Sequence, residues 1–273
     1  MAQTDSKFSR KTRRKLRRSP LIDTLQFLCV IGALTWLVAD GTKKLGYNWQ
    51  WYRVPQYIFS VEDKRLVAGP LIDGLIVTFE ITGLSLLLAL SFGLITALFR
   101  LSDSYVARAL ARAYLEIIRN SPLLVQLFFI YFVLGPILDI SRFFSAVLAL
   151  SLFEGAYGSE IFRAGIVSIH KGQWEAAHSL GLTTYHTYRY IILPQAIRRI
   201  LPPLTSQAVS LVKDSALVST IAIYDLTMRG QEIIAETYLA FEMWFTIAAI
   251  YLAITVSLSI MVTVMENRLS VET

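Results

Sequence analysis

Three ionisable side chains stand where an apolar chain rarely carries charge. Glu154 lies inside the apolar run 143–162, twelve residues after Arg142 and nine before Arg163, and Lys213 and Asp214 lie about halfway along the run 201–223. At a rise of about 1.5 Å per residue, Glu154 is roughly 18 Å from Arg142 and 13 Å from Arg163, near the middle of a membrane-crossing helix. A charge facing lipid at that depth costs about 2.5–3.5 kcal/mol, so these groups face protein or a water-filled cavity. Two arrangements meet that demand. One is an ion pair between helices, Lys213 with Glu154 or with a neighbouring span; the other is the lining of a path for a polar solute. In the second case Ser206, Ser210, Ser215, Ser219 and Thr220 supply hydroxyls along the same helix. Glu160 and Arg163, three apart at the inner end of the fourth run, read as an i,i+3 pair at the membrane boundary. Glu80 is a weaker candidate for the path, and Gln126 reads as a hydrogen-bonding link between helices.

Other chemistries lack their residues. The sequence has no GxxxxGK[ST] run to cradle nucleotide phosphates and no HExxH pair for zinc. His170, His178 and His186 fall eight apart in a polar loop, where Gly181 interrupts any helix, so they read as loop-surface residues and not as ligands. Cys29 is the one cysteine, which rules out an intrachain disulfide and a cysteine zinc site. The chain is therefore expected to hold no catalytic residue, metal or cofactor of its own, and any ATP is expected to be hydrolysed by another subunit.

The elements that position these charges are membrane helices. With 55% hydrophobic residues, 17% charged and a mean hydropathy of +0.53, the 273-residue chain reads as an all-α polytopic membrane protein. Six spans are expected, near 21–39, 71–99, 120–138, 143–162, 201–223 and 243–265. Residues 1–19 form a basic cytoplasmic tail suited to an anionic lipid surface, carrying Lys7, Arg10, Lys11, Arg13, Arg14, Lys15, Arg17 and Arg18. Residues 20–68 give an extra amino-terminal helix, expected to remain as an uncleaved anchor, and a periplasmic interfacial segment with Tyr47, Trp49, Trp51, Tyr52 and Tyr57. Residues 69–268 form a five-helix core. Asn120-Ser121-Pro122 is expected to cap the third span, with proline in its first turn. Arg100, Arg108, Arg112 and Arg119 fill one connection, and with the tail they set the inner side; both termini are then cytoplasmic. Topology accounts for the net charge of +6, and a nucleic-acid partner is not needed. No internal repeat is visible, so if these helices line a path across the membrane, a second subunit is expected to complete it.

Between the fourth and fifth spans, within a loop at 170–200, runs EAAHSLGLTTYHTYRYIILP, from Glu175 to Pro194. It is expected to be a helix opened by Glu175 and closed by Gly181, then a second helix capped by Thr183 or Thr184 and ending before Pro194. Glu175-Ala176-Ala177, three residues, Gly181, nine residues, then Ile191-x-Leu193-Pro194 resembles the EAA motif of ABC-importer permeases. Further segments, SPLLVQLFFIYF, AYGSEIFRAGI and LVKDSALVSTI, resemble the polar amino acid branch of that family, with Asn120 and Ser121 in place of its usual Gly and Thr. The resemblance implies a type I importer permease fold, with the EAA loop acting as a coupling helix that docks on an ATP-binding subunit holding ATP and Mg. It also implies a second permease subunit, an external substrate-binding protein, an amino acid as cargo and the bacterial inner membrane as location. On that footing Glu154, Lys213, Asp214 and Ser210 are expected along the substrate path, with Glu154 and Lys213 meeting the two charges of the zwitterion. A gradient-driven secondary transporter or channel for a small polar solute would use the same buried charges but gives no reason for the EAA spacing, and a membrane enzyme would need a nucleophile or metal cluster.

Overall fold

Long apolar runs with few breakers become helices, and the computed structural model is built almost wholly of them; it describes residues 20–62 and 65–269. The basic tail therefore lies outside the described residues. The chain divides into two units, 1–49 and 50–273. The first contains α1, Pro20–Leu45, whose side chains, such as Leu25, Phe27, Leu28 and Trp36, are exposed along the helix. Its apolar stretch of 22 residues matches the thickness of a bilayer.

The second unit opens with a 3-10 turn, Trp51–Arg53, a short helix α2, Pro55–Ile58, and an antiparallel hairpin of β1, Phe59–Glu62, and β2, Arg65–Ala68, in which Phe59 faces Ala68. The interfacial segment expected within residues 20–68 thus joins the core from Gln50 onward. Val54, Tyr57 and Ile58 pack on Leu71, Leu226, Leu239 and Met243, and the buried carboxylate of Glu242 accepts the Gln50 amide at 2.6 Å. Helix α3, Pro70–Leu101, then runs 32 residues and is followed by α4, Tyr105–Arg119. The next span is α5, Leu123–Phe128, a π-helical segment Phe129–Leu134 and α6, Gly135–Leu138. Helix α7, Arg142–Val167, leads to α8, Lys171–Ser179, and α9, Thr184–Thr187, with a second π segment at Tyr188–Ile192. The chain ends in α10, Leu193–Asp214, a 3-10 segment Ser215–Ile221, α11, Leu226–Thr237, and α12, Ala240–Leu269.

Helices α3 and α7 form the spine. They approach through small residues: a Cβ on Gly155 would stand 2.9 Å from the Phe92 Cβ and 3.2 Å from the Ala89 carbonyl oxygen, and one on Gly93 would stand 3.1 Å from the Gly155 carbonyl oxygen. Close backbone approach of this kind is how helices pack where lipid removes the hydrophobic drive between them. The core beside that contact gathers Ile81, Leu127, Val147, Leu150, Leu211 and Val218.

The third span begins differently from expectation. Asn120 does not cap α5; its amide donates backwards to the Glu116 carbonyl and carboxylate at 2.8 and 2.9 Å, closing α4, and α5 starts at Leu123. The arginine-bearing connection is itself the helix α4, bent by 106° from the stretch Leu123–Leu138. Gln126 holds the corner. Its side-chain amide donates to the Ile118 carbonyl at 2.8 Å and to Ser121 at 2.9 and 3.0 Å. By length and composition, three described helices are apolar enough to cross a membrane, or four if the bent pair is counted as one span. Buried polar residues in α7, among them Glu154 and Ser151, and exposed ones in α10, among them Arg198, Arg199 and Lys213, lower the apolarity of those two helices.

Candidate coupling loop and translocation path

The loop is built from its caps. His170 Nδ1 accepts the Gly172 amide at 3.1 Å and starts α8. At the other end Gly181 has φ +75°, the Gly181 amide donates to the His178 carbonyl at 2.9 Å and the Leu182 amide to Ala177 at 3.1 Å. These two bonds make a Schellman closure, and its left-handed residue is the glycine expected from the sequence. Glu175 does not open the helix: with His170 as cap, α8 begins at Lys171 and Glu175 sits at its middle, exposed. Of the alanines, Ala176 is exposed and Ala177 is fully buried. Thr183 caps α9 by accepting the His186 amide at 3.4 Å. The second helix does not stop before Pro194. The wide π turn at Tyr188–Ile192 lets the backbone pass into α10 with Pro194 in its first turn, where the missing N–H costs least.

Underneath α8 lies a separate small core of Ile166, Ile169, Ile192, Ala196 and Ile200, with Trp174 edge-on to Tyr188 at 5.0 Å. Gln195 donates to Gln173 at 3.2 Å, and Arg199 donates to the Ser168 carbonyl at 2.7 Å. The outer surface of the loop is mixed: Leu180, Tyr185 and Tyr190 are exposed beside Glu175, His178 and Arg189, and His186 stacks on Tyr190.

The membrane charges divide between two sides of α10. Glu154, 2% exposed, accepts a hydrogen bond from the Gln207 amide and lies in electrostatic contact with Asp214. Leu204, Gln207, Leu211 and Asp214 recur at helical spacing and share the side that meets Glu154. A narrow gap there is lined by Leu86, Ala89, Leu90 and Gly158. Lys213 follows a different stripe, with Ser206, Val209 and Ser210, and opens on a cavity of about 250 Å³ completed by Ser259, Val262, Thr263 and Glu266 of α12. Consecutive helical residues point about 100° apart, so Lys213 and Asp214 diverge. Of the two arrangements open to these charges, the ion pair of Lys213 with Glu154 is not formed among the described residues, and Glu154 is met by Gln207 and Asp214 instead. Gln207 escaped the sequence reading; its spacing of two turns before Asp214 was the available signal. Glu80 is exposed on α3.

Glu160 gathers more than its i,i+3 neighbour. Arg100 and Arg119 reach it at 2.8 and 2.9 Å, closer than Arg163 at 3.4 Å, and the cluster ties α3, α4 and α7 together. On the other side of the bundle, Asp225 caps α11 from the connection before it. It accepts the Met228 amide at 2.9 Å and the Tyr251 hydroxyl at 3.4 Å, and burial pushes its carboxyl up to about 6 in spite of those bonds.

Residues 89–271 match the family described as binding-protein-dependent transport system inner membrane component. The chain belongs to this family. As an inner membrane component of an importer it is a multi-pass permease subunit, and ATP hydrolysis belongs to a partner ATPase. It is 41% identical over 204 residues to the glutamine transport system permease protein GlnP of Escherichia coli (strain K12), covering 74% of this chain and 93% of that protein. It is 42% identical over 199 residues to the L-cystine transport system permease protein TcyB of Bacillus subtilis (strain 168), covering 72% of this chain and 85% of that one. A crystal structure of an amino acid ABC transporter with histidines superposes with a TM-score of 0.69 at 40% identity, over 73% of this chain and 94% of its own. The MetNI methionine ABC transporter in an inward-facing conformation shares the permease fold, with a TM-score of 0.62 at 20% identity over 74% of this chain and 96% of its own.

Proposed function

We propose that this permease is one of two such subunits in an importer that carries a polar amino acid across the bacterial inner membrane, fed by an external binding protein. The observation that carries the reading is α10: one helix whose foot is fastened to the coupling loop and whose far half presents Gln207 and Asp214 to Glu154 of α7 on one side and Lys213 with hydroxyls on the other. The relatives named for glutamine and cystine transport support the cargo class.

In this reading the exposed face of α8, with Glu175, Ala176 and the Gly181 turn, docks on the ATP-binding subunit, where ATP and Mg are held. Ala177 and Pro194 fix the loop to the bundle. Closure of the ATPases shifts the loop and carries α10 with it. Glu154 and Asp214 attract the ammonium of the cargo, while Lys213, with Ser210 beside it, attracts the carboxylate, each offsetting the desolvation of one charge. Exposed charges on membrane helices, Glu80 and Lys213, require cover from a second subunit or water, consistent with a paired pore. The six-span path with both termini inside remains part of this proposal.

The test is co-expression with an ATP-binding subunit, purification of the assembled complex and uptake of radiolabelled L-glutamine and L-cystine into proteoliposomes. ATP-dependent uptake that needs the external binding protein is expected. Uptake driven by an ion gradient alone, with no ATPase bound, would sink the reading in favour of a secondary transporter.

A further inference from the structure

Helix α4 carries three faces at helical spacing. Ala111, Leu115 and Ile118 are buried against the bundle. Val106, Leu110 and Ile117, with Ala113 between the last two, form a second, apolar stripe that is exposed, at 65%, 59% and 69% for the three large side chains. The third face carries Arg108, Arg112 and Arg119, and with Arg100 and Arg163 it lines an open cavity of about 370 Å³. Five guanidinium groups face two carboxylates there, Glu160 and Glu116. Glu160 is already shared by Arg100, Arg119 and Arg163, and Glu116 accepts from Asn120. Arg108 donates only to the Ser102 carbonyl, at 2.9 Å, and Arg112 has no partner among the described residues. The cavity thus holds a cationic excess that its own acids leave unneutralised.

An exposed apolar stripe beside an arginine face is the pattern of a helix lying in the membrane interface, and the bend of 106° into the following span turns α4 out of line with it. Arginine forks bind phosphate oxygens in pairs, with a geometry that lysine lacks. We propose that this cavity binds the phosphate of an anionic phospholipid headgroup in the inner leaflet, with Arg108 and Arg112 as its free donors and the apolar stripe of α4 against the acyl chains. The proposal rests on the reading that places α4 at the inner face. It commits to a lipid, and not to a free phosphate, because of that stripe.

The experiment uses the assembled permease–ATPase complex in nanodiscs of phosphatidylcholine with increasing phosphatidylglycerol, scored by native mass spectrometry for retained phosphatidylglycerol. Wild type should keep the lipid, and Arg108→Gln with Arg112→Gln should lose it, with affinity falling about five-fold for each arginine removed. Arg108→Lys with Arg112→Lys, which keeps the charge without the fork, should fall between. Equal retention by wild type and the glutamine double variant, or none by wild type, would overturn the site. Inorganic phosphate that displaces phosphatidylglycerol, or binds equally in phosphatidylcholine alone, would make it a free-phosphate site and overturn the lipid assignment. ATP-dependent uptake is measured on the same preparations. Lipid retention lost with uptake present concerns the arginine cavity alone, whereas uptake absent in every membrane concerns the transport reading.

Discussion

Among the described residues Glu154 accepts from the Gln207 side-chain amide and has a second carboxyl close by in Asp214. Glu154→Gln removes the charge with little change in shape. Hydrogen bonds to charged groups are worth about 1.5–3 kcal/mol, so ATP-dependent uptake should drop about tenfold or more while the complex still assembles. Normal uptake by the assembled variant would exclude Glu154 from the path. Asp225 offers a pH test. Its carboxyl titrates at about 6 in the folded chain, against an ordinary 3.8, so between those values the folded form keeps a proton that the unfolded form has released. The stability held by the neutral form is full below pH 3.8 and is lost as pH rises through about 6. Asp225→Asn keeps an acceptor for the Met228 amide and removes the titration. Its thermal inactivation midpoint in detergent should exceed wild type at about pH 7, by the equivalent of at most about 3 kcal/mol, and the two should converge near pH 4. A constant gap across that range would mean that burial of this carboxyl is not the cause. Among residues, the sequence placed three charges in mid-helix but not how deeply each is buried or which meet: Glu154 is buried, Asp214 half-buried and Lys213 exposed, and Lys213 and Asp214, neighbours in the chain, diverge on the helix.

The Schellman turn after α8 depends on one backbone conformation. A Cβ on Gly181 would meet nothing within 4 Å, so Gly181→Val is opposed by φ alone, about 1–2 kcal/mol for a left-handed residue. The subunit should insert and assemble in normal amount with uptake lost, and Gly181→Asn, which tolerates that region, should recover part of it. Wild-type uptake by the valine variant would show that the turn has no part in transmission. This element was legible because a glycine at the end of a periodic stretch has few other uses. The start of α8 was not, because a histidine cap is a weak signal and Glu175 looked like a first-turn acid. Helix α4 was hidden for a related reason. Its arginines mark the inner side so strongly that the apolar spacing between them, Val106, Leu110 and Ile117, went unweighed. Pro194 marked a helix end by the usual rule, which a π turn sets aside.

For the whole molecule, composition and the EAA spacing led to an all-α permease, and the family match agrees. What no composition supplies is the pairing of faces, since polar groups, buried in α7 and exposed in α10, lower the very apolarity by which spans are recognised. Orientation can be checked with Cys29 replaced by serine and single cysteines placed at exposed Ser179 and Glu236. A membrane-impermeant maleimide should label position 236 in intact cells and position 179 only after permeabilisation; the reverse pattern would invert the assignment. The small core under α8 has a mechanical consequence. Because Trp174 of α8 packs with Ile192, Ala196 and Ile200 at the foot of α10, loop and foot move as one block, and spin labels at Ser179 and Arg198 should hold their separation when nucleotide binds. A changing separation would reveal a joint inside the block. The stem of α10 is then a lever arm: Gln207 stands 14 residues beyond Leu193, about 21 Å along the axis, so a tilt of about 10° at the foot sweeps it by about 3–4 Å. That sweep exceeds the length of an ordinary hydrogen bond, so a rotation of about 10° at the ATPase end suffices to part Gln207 from the acid in the middle of the membrane.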